Sequence, residues 1–115
     1  MKVLLVDDES RVREGLERIL PQVWSHDEEL EIISADSGPA ALACMEFDAA
    51  DLVLTDMRMP GMDGAQVLAR VSQRWPAAMR VVLSGYMEDD VAIRSARFAH
   101  QFLTMPDYVF RCFPS

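Results

Sequence analysis

Three aspartates stand where short apolar runs stop. Asp7 and Asp8 follow the run 3–6, Asp56 follows the run 52–55, and Ser84 closes the run 80–84. In an open parallel sheet, ligands collect beyond the carboxyl ends of the strands. Carboxylates brought close together there repel one another and raise one another's pKa. A hard divalent cation relieves that repulsion. Mg2+ takes oxygen ligands, keeps several waters, and uses one or two carboxylates plus a phosphate. The aspartates are therefore suited to holding Mg2+ beside an incoming phosphoryl group. One of them can also act as the nucleophile and form an acyl phosphate, while the ion neutralises charge on the transferring oxygens. An Asp-Asp pair after a strand, taken singly, is more often a solvated helix start. The combination of these acids, with their spacing and their places after strands, carries the chemical reading.

These residues need a frame that brings them together. Short apolar runs alternate with longer amphipathic ones. Strands are expected at 2–6, 30–34, 52–55, 80–84 and 101–104. Ser10 is placed as the cap of a first helix, with Val12, Leu16, Ile19, Leu20 and Val23 at helical spacing and Pro21 ending or kinking its last turn. A second helix opens at Ser37-Gly38-Pro39 and runs to Phe47, with Ala41, Leu42 and Met45 on its apolar side. A third follows the turn Pro60-Gly61-Met62-Asp63-Gly64, reaches Arg74 and carries Val67, Leu68 and Val71; a fourth spans 87–98 with Val91 and Ile93. Alternation of this kind implies an α/β fold, a parallel sheet covered by helices on both faces. The flavodoxin-like, doubly wound order 2-1-3-4-5, adopted as the template, makes strands one and three neighbours and so joins Asp7 and Asp8 to Asp56. The tail 106–115 has apolar residues (Tyr108, Val109, Phe110, Phe113), yet Pro114 leaves room for two helical turns at most. The fifth helix is expected to be short or missing.

The chain has 115 residues, enough for one domain, and half of them are hydrophobic. One domain over 1–115 with no output domain is the expectation. The net charge of −8, from 11 basic and 19 acidic residues, argues against a nucleic-acid surface, which needs clustered cations. Lys2 is the only lysine. Cys44 and Cys112 have neither metal-ligand nor redox spacing and read as reduced thiols. The apolar run after Lys2 is cut off by Asp7-Asp8-Glu9, too soon for a signal peptide, and no stretch approaches a membrane span. A cytoplasmic protein is expected.

On these residues the sequence resembles the receiver domains of two-component response regulators. Val3-Leu4-Leu5-Val6-Asp7-Asp8-Glu9 is similar to the family's first strand and acidic pair. Leu52-Val53-Leu54-Thr55-Asp56-Met57-Arg58-Met59-Pro60-Gly61-Met62-Asp63-Gly64 is similar to its phospho-acceptor strand and following loop. Val81-Val82-Leu83-Ser84-Gly85 and Phe102-Leu103-Thr104-Met105-Pro106 resemble its fourth and fifth strands. The resemblance covers residues 2 to about 107. It implies that Asp56 accepts the phosphoryl group, and that Asp7, Asp8, Asp56 and the backbone carbonyl of Arg58 hold Mg2+. It further implies that the Ser84 hydroxyl bonds a phosphoryl oxygen and that Phe102 occupies an aromatic switch position, without a phenol hydroxyl. The donor it implies is a phosphohistidine on a sensor histidine kinase or a histidine phosphotransfer protein. The domain is thus expected to be a phospho-accepting signalling module and not an enzyme. The run Ala99-His100-Gln101-Phe102-Leu103 also resembles receivers joined to HD-related output domains.

The departure is Met105, where the family pattern has lysine. Methionine offers a weak sulfur acceptor and no charge. A hydrogen bond to a charged group is worth ~1.5–3 kcal/mol, so its loss should slow transfer roughly ten- to a hundred-fold. Slowed transfer or weak switching at Asp56 is therefore the leading expectation. A pseudo-receiver, binding partners independently of phosphorylation, is the alternative, favoured by Met105, Phe102 and the short tail. A carboxylate-nucleophile phosphatase is disfavoured because the Asp-x-Asp-x-Thr pattern is absent. His26, His100, Trp24, Trp75 and the acids Glu88-Asp89-Asp90 read as surface, packing and helix-start residues. An open apolar face at helix four and strand five would favour a homodimer through that face.

Overall fold

The computed structural model describes residues 1–23, 29–84, 101–104 and 109–112, with side chains over 1–22 and 29–82. The expected fourth helix (87–98), Met105, Trp24, His26, His100, Glu88-Asp89-Asp90, and the side chains of Ser84 and Phe102 lie outside what is described.

The strands are β1 (Lys2–Val6), β2 (Glu31–Ala35), β3 (Leu52–Asp56), β4 (Met79–Ser84), β5 (Gln101–Thr104) and β6 (Val109–Cys112). The helices are α1 (Ser10–Val23), α2 (Gly38–Phe47) and α3 (Gly64–Arg74). One sheet holds all six strands in the order β2-β1-β3-β4-β5-β6. The first five are parallel, in the doubly wound order expected. The tail departs from a helical ending: β6 runs antiparallel to β5, pairing Gln101 with Cys112 and Thr104 with Val109. A short run such as Val109–Cys112 has no periodicity that separates strand from helix, so neighbouring structure decides it.

Alternating side chains on β1, β3 and β4 divide the core between two faces, as the pleat requires. Leu4, Val6, Val53 and Val82 point to the face covered by α2 and α3, where they meet Ala41, Met45, Val67, Leu68 and Val71. Val3, Leu5, Leu52, Leu54 and Val81 point to the other face, against Leu16 and Leu20 of α1. Burial on both faces is why these strands are continuous apolar runs.

Local capping fixes where the helices begin. The Ser37 hydroxyl accepts from the Ala40 amide at 3.2 Å at the start of α2. At α3, Asp63 accepts from the Gln66 amide at 2.9 Å while the Gln66 side chain accepts from the Asp63 amide at 3.0 Å, a reciprocal capping box. Gly61, at φ 79°, turns the preceding loop through the left-handed region that favours glycine. Pro21 lies inside α1, which nevertheless continues to Val23.

Candidate functional site

The register brings the acids together. Val6 pairs with Thr55, so Asp7 leaves β1 beside Asp56, the last residue of β3. Ligand oxygens of Asp7, Asp8 and Asp56 lie within 4.8 Å of one another. Asp7 is buried, Asp56 is half-buried and Asp8 is exposed, so the cluster runs from the interior out to solvent. Asp56 pairs with Leu83, so the backbone of Ser84 ends β4 one residue beyond that level, and Ser84 pairs with Thr104 at the end of β5. The carboxyl ends of β1, β3, β4 and β5 thus share one rim of the sheet.

The electrostatics of the rim favour a cation. Burial raises the Asp7 carboxyl to about 6; the Glu9 amide opposes this, and the charges of Asp56, Asp8 and Glu9 add to it. The Glu9 amide donates to Asp7 Oδ1 at 2.9 Å. Burial likewise raises Asp56, against backbone N–H groups of Arg58 and Met57 that favour its ionised form, and the charges of Asp8 and Glu9 push it further up. A divalent ion bound by such a set removes both the desolvation penalty and the mutual repulsion. The donor set is all oxygen, as Mg2+ requires.

The elements around the acids hold them closely. The buried Thr55 hydroxyl donates to the Asp56 carbonyl at 3.0 Å. The Gly64 amide donates to the Met57 carbonyl at 3.0 Å. A Cβ on Gly64 would lie 2.2 Å from the Asp56 carbonyl oxygen, so only glycine lets the start of α3 approach β3 this closely. The guanidinium of Arg13 donates to the Asp7 carbonyl at 2.6 Å. Gly64, Thr55 and Arg13 were not among the sequence-derived site residues. Two of them do carry a signal: a glycine in the first turn of a helix, and a cation at a helix N-terminus, each run against local preference.

Lys2 sits at the other end of β1 from the aspartates, its Nζ 2.6 Å from Asp48 Oδ2. Cys44 is a free, half-buried thiol. Among the described residues, no helix is long and apolar enough to cross a membrane.

A doubly wound sheet, parallel through β1–β5, with three aspartates at the carboxyl ends of two adjacent central strands defines a flavodoxin-like α/β protein with a candidate cation site. The family described as response regulator receiver domain matches residues 3–106, and the chain belongs to that family. It is 35% identical over 106 residues to the hydrogenase transcriptional regulatory protein HoxA of Cupriavidus necator, a match covering 90% of this chain and 21% of that protein. It is 36% identical over 96 residues to the response regulator protein FleR of Pseudomonas aeruginosa, covering 84% of this chain and 19% of that protein. The chain thus spans about a fifth of the length of these relatives. Among solved structures, the signal receiver domain of an HD domain-containing protein from Pseudomonas fluorescens Pf-5 superposes with a TM-score of 0.82 at 24% identity, covering 91% of this chain and 82% of that one. At that identity the likeness is one of fold.

Proposed function

We propose that this receiver accepts a phosphoryl group on Asp56, with Mg2+ held by Asp7, Asp8, Asp56 and the backbone carbonyl of Arg58. The observation that carries this reading is the convergence of three carboxylates within 4.8 Å at the ends of β1 and β3. Bound there, Mg2+ would neutralise charge on the transferring phosphoryl oxygens.

The chain's own residues supply the rest. An ionised Asp56 oxygen attacks the phosphorus of a phosphohistidine on a sensor histidine kinase or a histidine phosphotransfer protein. The new O–P bond forms as the P–N bond breaks, and its electron pair leaves with the imidazole nitrogen, which takes up a proton. Amides of Met57 and Arg58 favour the ionised form of the Asp56 carboxylate. Ser84 is assigned the hydrogen bond to a phosphoryl oxygen and Phe102 the switch position. These assignments rest on the resemblance to receiver domains; Ser84 ends β4 opposite Thr104, and Phe102 lies within β5 opposite Val82. Residues 1–115 act as one receiver unit working in the cytoplasm, where such donors present their phosphohistidine. A second copy docked on the face of helix four and β5 remains part of this reading, and light scattering across micromolar concentrations tests it. A strictly monomeric chain rules it out.

Met105 sets the rate. Without a lysine charge on the phosphoryl oxygens, transfer is slowed and coupling to Ser84 weakened. The same residue favours the second reading, a pseudo-receiver that engages its partner without phosphorylation. Acetyl phosphate with Mg2+, followed on a phosphate-affinity gel, separates the two. The expected result is a Mg2+-dependent shifted band, lost in Asp56→Asn. Met105→Lys is expected to accelerate it roughly ten- to a hundred-fold. A parent and a Met105→Lys variant that both stay unshifted would establish the phosphorylation-independent module.

A further inference from the structure

We infer that Arg13 is a positioning residue for the cation site, fixing the peptide between Asp7 and Asp8 and through it the aim of the Asp8 carboxylate. The inference rests on the proposed Mg2+ site and names a residue that site has not yet been given.

The Arg13 side chain reaches back over the turn between β1 and α1, its Nη1 donating to the Asp7 carbonyl at 2.6 Å. Its backbone amide donates to the Glu9 carbonyl at 3.2 Å, the i→i−4 bond that seats α1 and would hold the side chain's root in any variant. Two further bonds steady the turn: the Asp7 amide donates to the Ala35 carbonyl at 3.1 Å, and Asp7 Oδ1 accepts from the Glu9 amide at 2.9 Å across Asp8, but neither holds the Asp7 carbonyl. Asp8 is exposed, and no side-chain hydrogen bond among the described residues orients its carboxylate. Its direction is therefore inherited from its backbone. The carbonyl that Arg13 holds belongs to the Asp7–Asp8 peptide, so releasing it frees that plane to rotate.

A second observation separates this role from helix stability. The first turn of α1 contains no acidic residue, while Arg11 and Arg13 place two cations there. The positive end of a helix disfavours cations. Arg13 is thus poorly placed as a helix stabiliser and well placed as a clamp. Arg11, in the same turn and exposed, supplies the same charge with no described bond to the acidic turn, which makes it the matched control. Residues that orient metal ligands typically contribute ten- to a hundred-fold in metal affinity.

The test is Mg2+ affinity by calorimetry, together with the Asp8 amide resonance of the Mg2+-free chain, on the parent, Arg13→Ala, Arg13→Lys, Arg11→Ala and Asp8→Asn. Arg13→Ala should weaken Mg2+ binding about ten-fold and shift and broaden the Asp8 amide. Arg13→Lys, which keeps a charged donor, should recover most of the affinity, and Arg11→Ala should bind like the parent. An Arg13→Ala chain that binds within two-fold of a Mg2+-binding parent overturns the inference and leaves the proposed function standing. An equal loss in Arg11→Ala also overturns it, because net charge alone would then explain the effect. A parent that binds no Mg2+ overturns both.

Discussion

At neutral pH an ionised Asp7 works against folding. Its carboxyl is raised from 3.8 to about 6 on burial beside Asp56, Asp8 and Glu9. A carboxyl raised in the folded state favours folding when protonated, and that contribution is lost as pH rises through about 6. Two pKa units correspond to about 3 kcal/mol. The Mg2+-free chain should therefore gain urea resistance as pH falls from 7 towards 5, with Asp56, raised in the same direction, adding to the gain. Asp7→Asn keeps an oxygen for the Glu9 amide and removes the charge. It should raise Mg2+-free stability at pH 7 by about 1–3 kcal/mol while abolishing Mg2+ binding. Urea midpoints with and without Mg2+ check both outcomes, and an Asp7→Asn chain less stable than the parent would contradict them. Saturating Mg2+ should flatten the pH dependence of the parent, since the ion stabilises the folded state by roughly 2.7 kcal/mol at a hundred times its dissociation constant.

Two helical glycines differ in what surrounds them. Gly64 opens α3 against the Asp56 carbonyl, and a Cβ there would strike backbone at 2.2 Å. Gly64→Ala should cost about 1–3 kcal/mol or more through forced displacement and should disturb Asp56 with it. Gly15, within α1, has nothing within 4 Å of such a Cβ. Gly15→Ala should stabilise the chain by about 0.5–1 kcal/mol through helix propensity alone. Thermal or urea unfolding of the pair gives opposite signs if the packing is as described. Neither outcome was legible in the sequence, where both are single glycines in helical stretches and only distances across the fold tell them apart. The apolar positions of α3 were legible: Val67, Leu68 and Val71 are fully buried, because helical spacing alone selects the inward stripe. The strand ends shifted by about one residue, β2 ending at Ala35 and β4 beginning at Met79, as element boundaries do.

For the whole molecule, the sheet order decided what could be read in advance. Acids after apolar runs are visible in one dimension, but the meeting of Asp7 and Asp8 with Asp56 needed the 2-1-3 adjacency, which alternation of strands and helices does not fix, which was adopted as a template, and which the register realises. The antiparallel β6 was not legible, because its four residues have no period long enough to decide between helix and strand. Its place on the outer edge of β5 has a testable result. Removing residues 105–115 would bare the backbone groups of β5 that pair with β6, and bare edges recruit other strands. The shortened chain should self-associate more strongly than the parent by light scattering. An equally monomeric shortened chain would show that β6 protects nothing.

The pairing of Lys2 with Asp48 places the chain's single lysine at the amino end of β1, roughly five residues or ~17 Å along the strand from Asp7. The α-amine of Met1 lies at the same pole, donating to the Glu29 carbonyl at 2.6 Å. Every primary amine of this chain is thus gathered on the side remote from the carboxylates. An acylating dye or an activated bead would attach at that pole alone, leaving every immobilised copy with its acidic rim turned outward, towards whatever flows past.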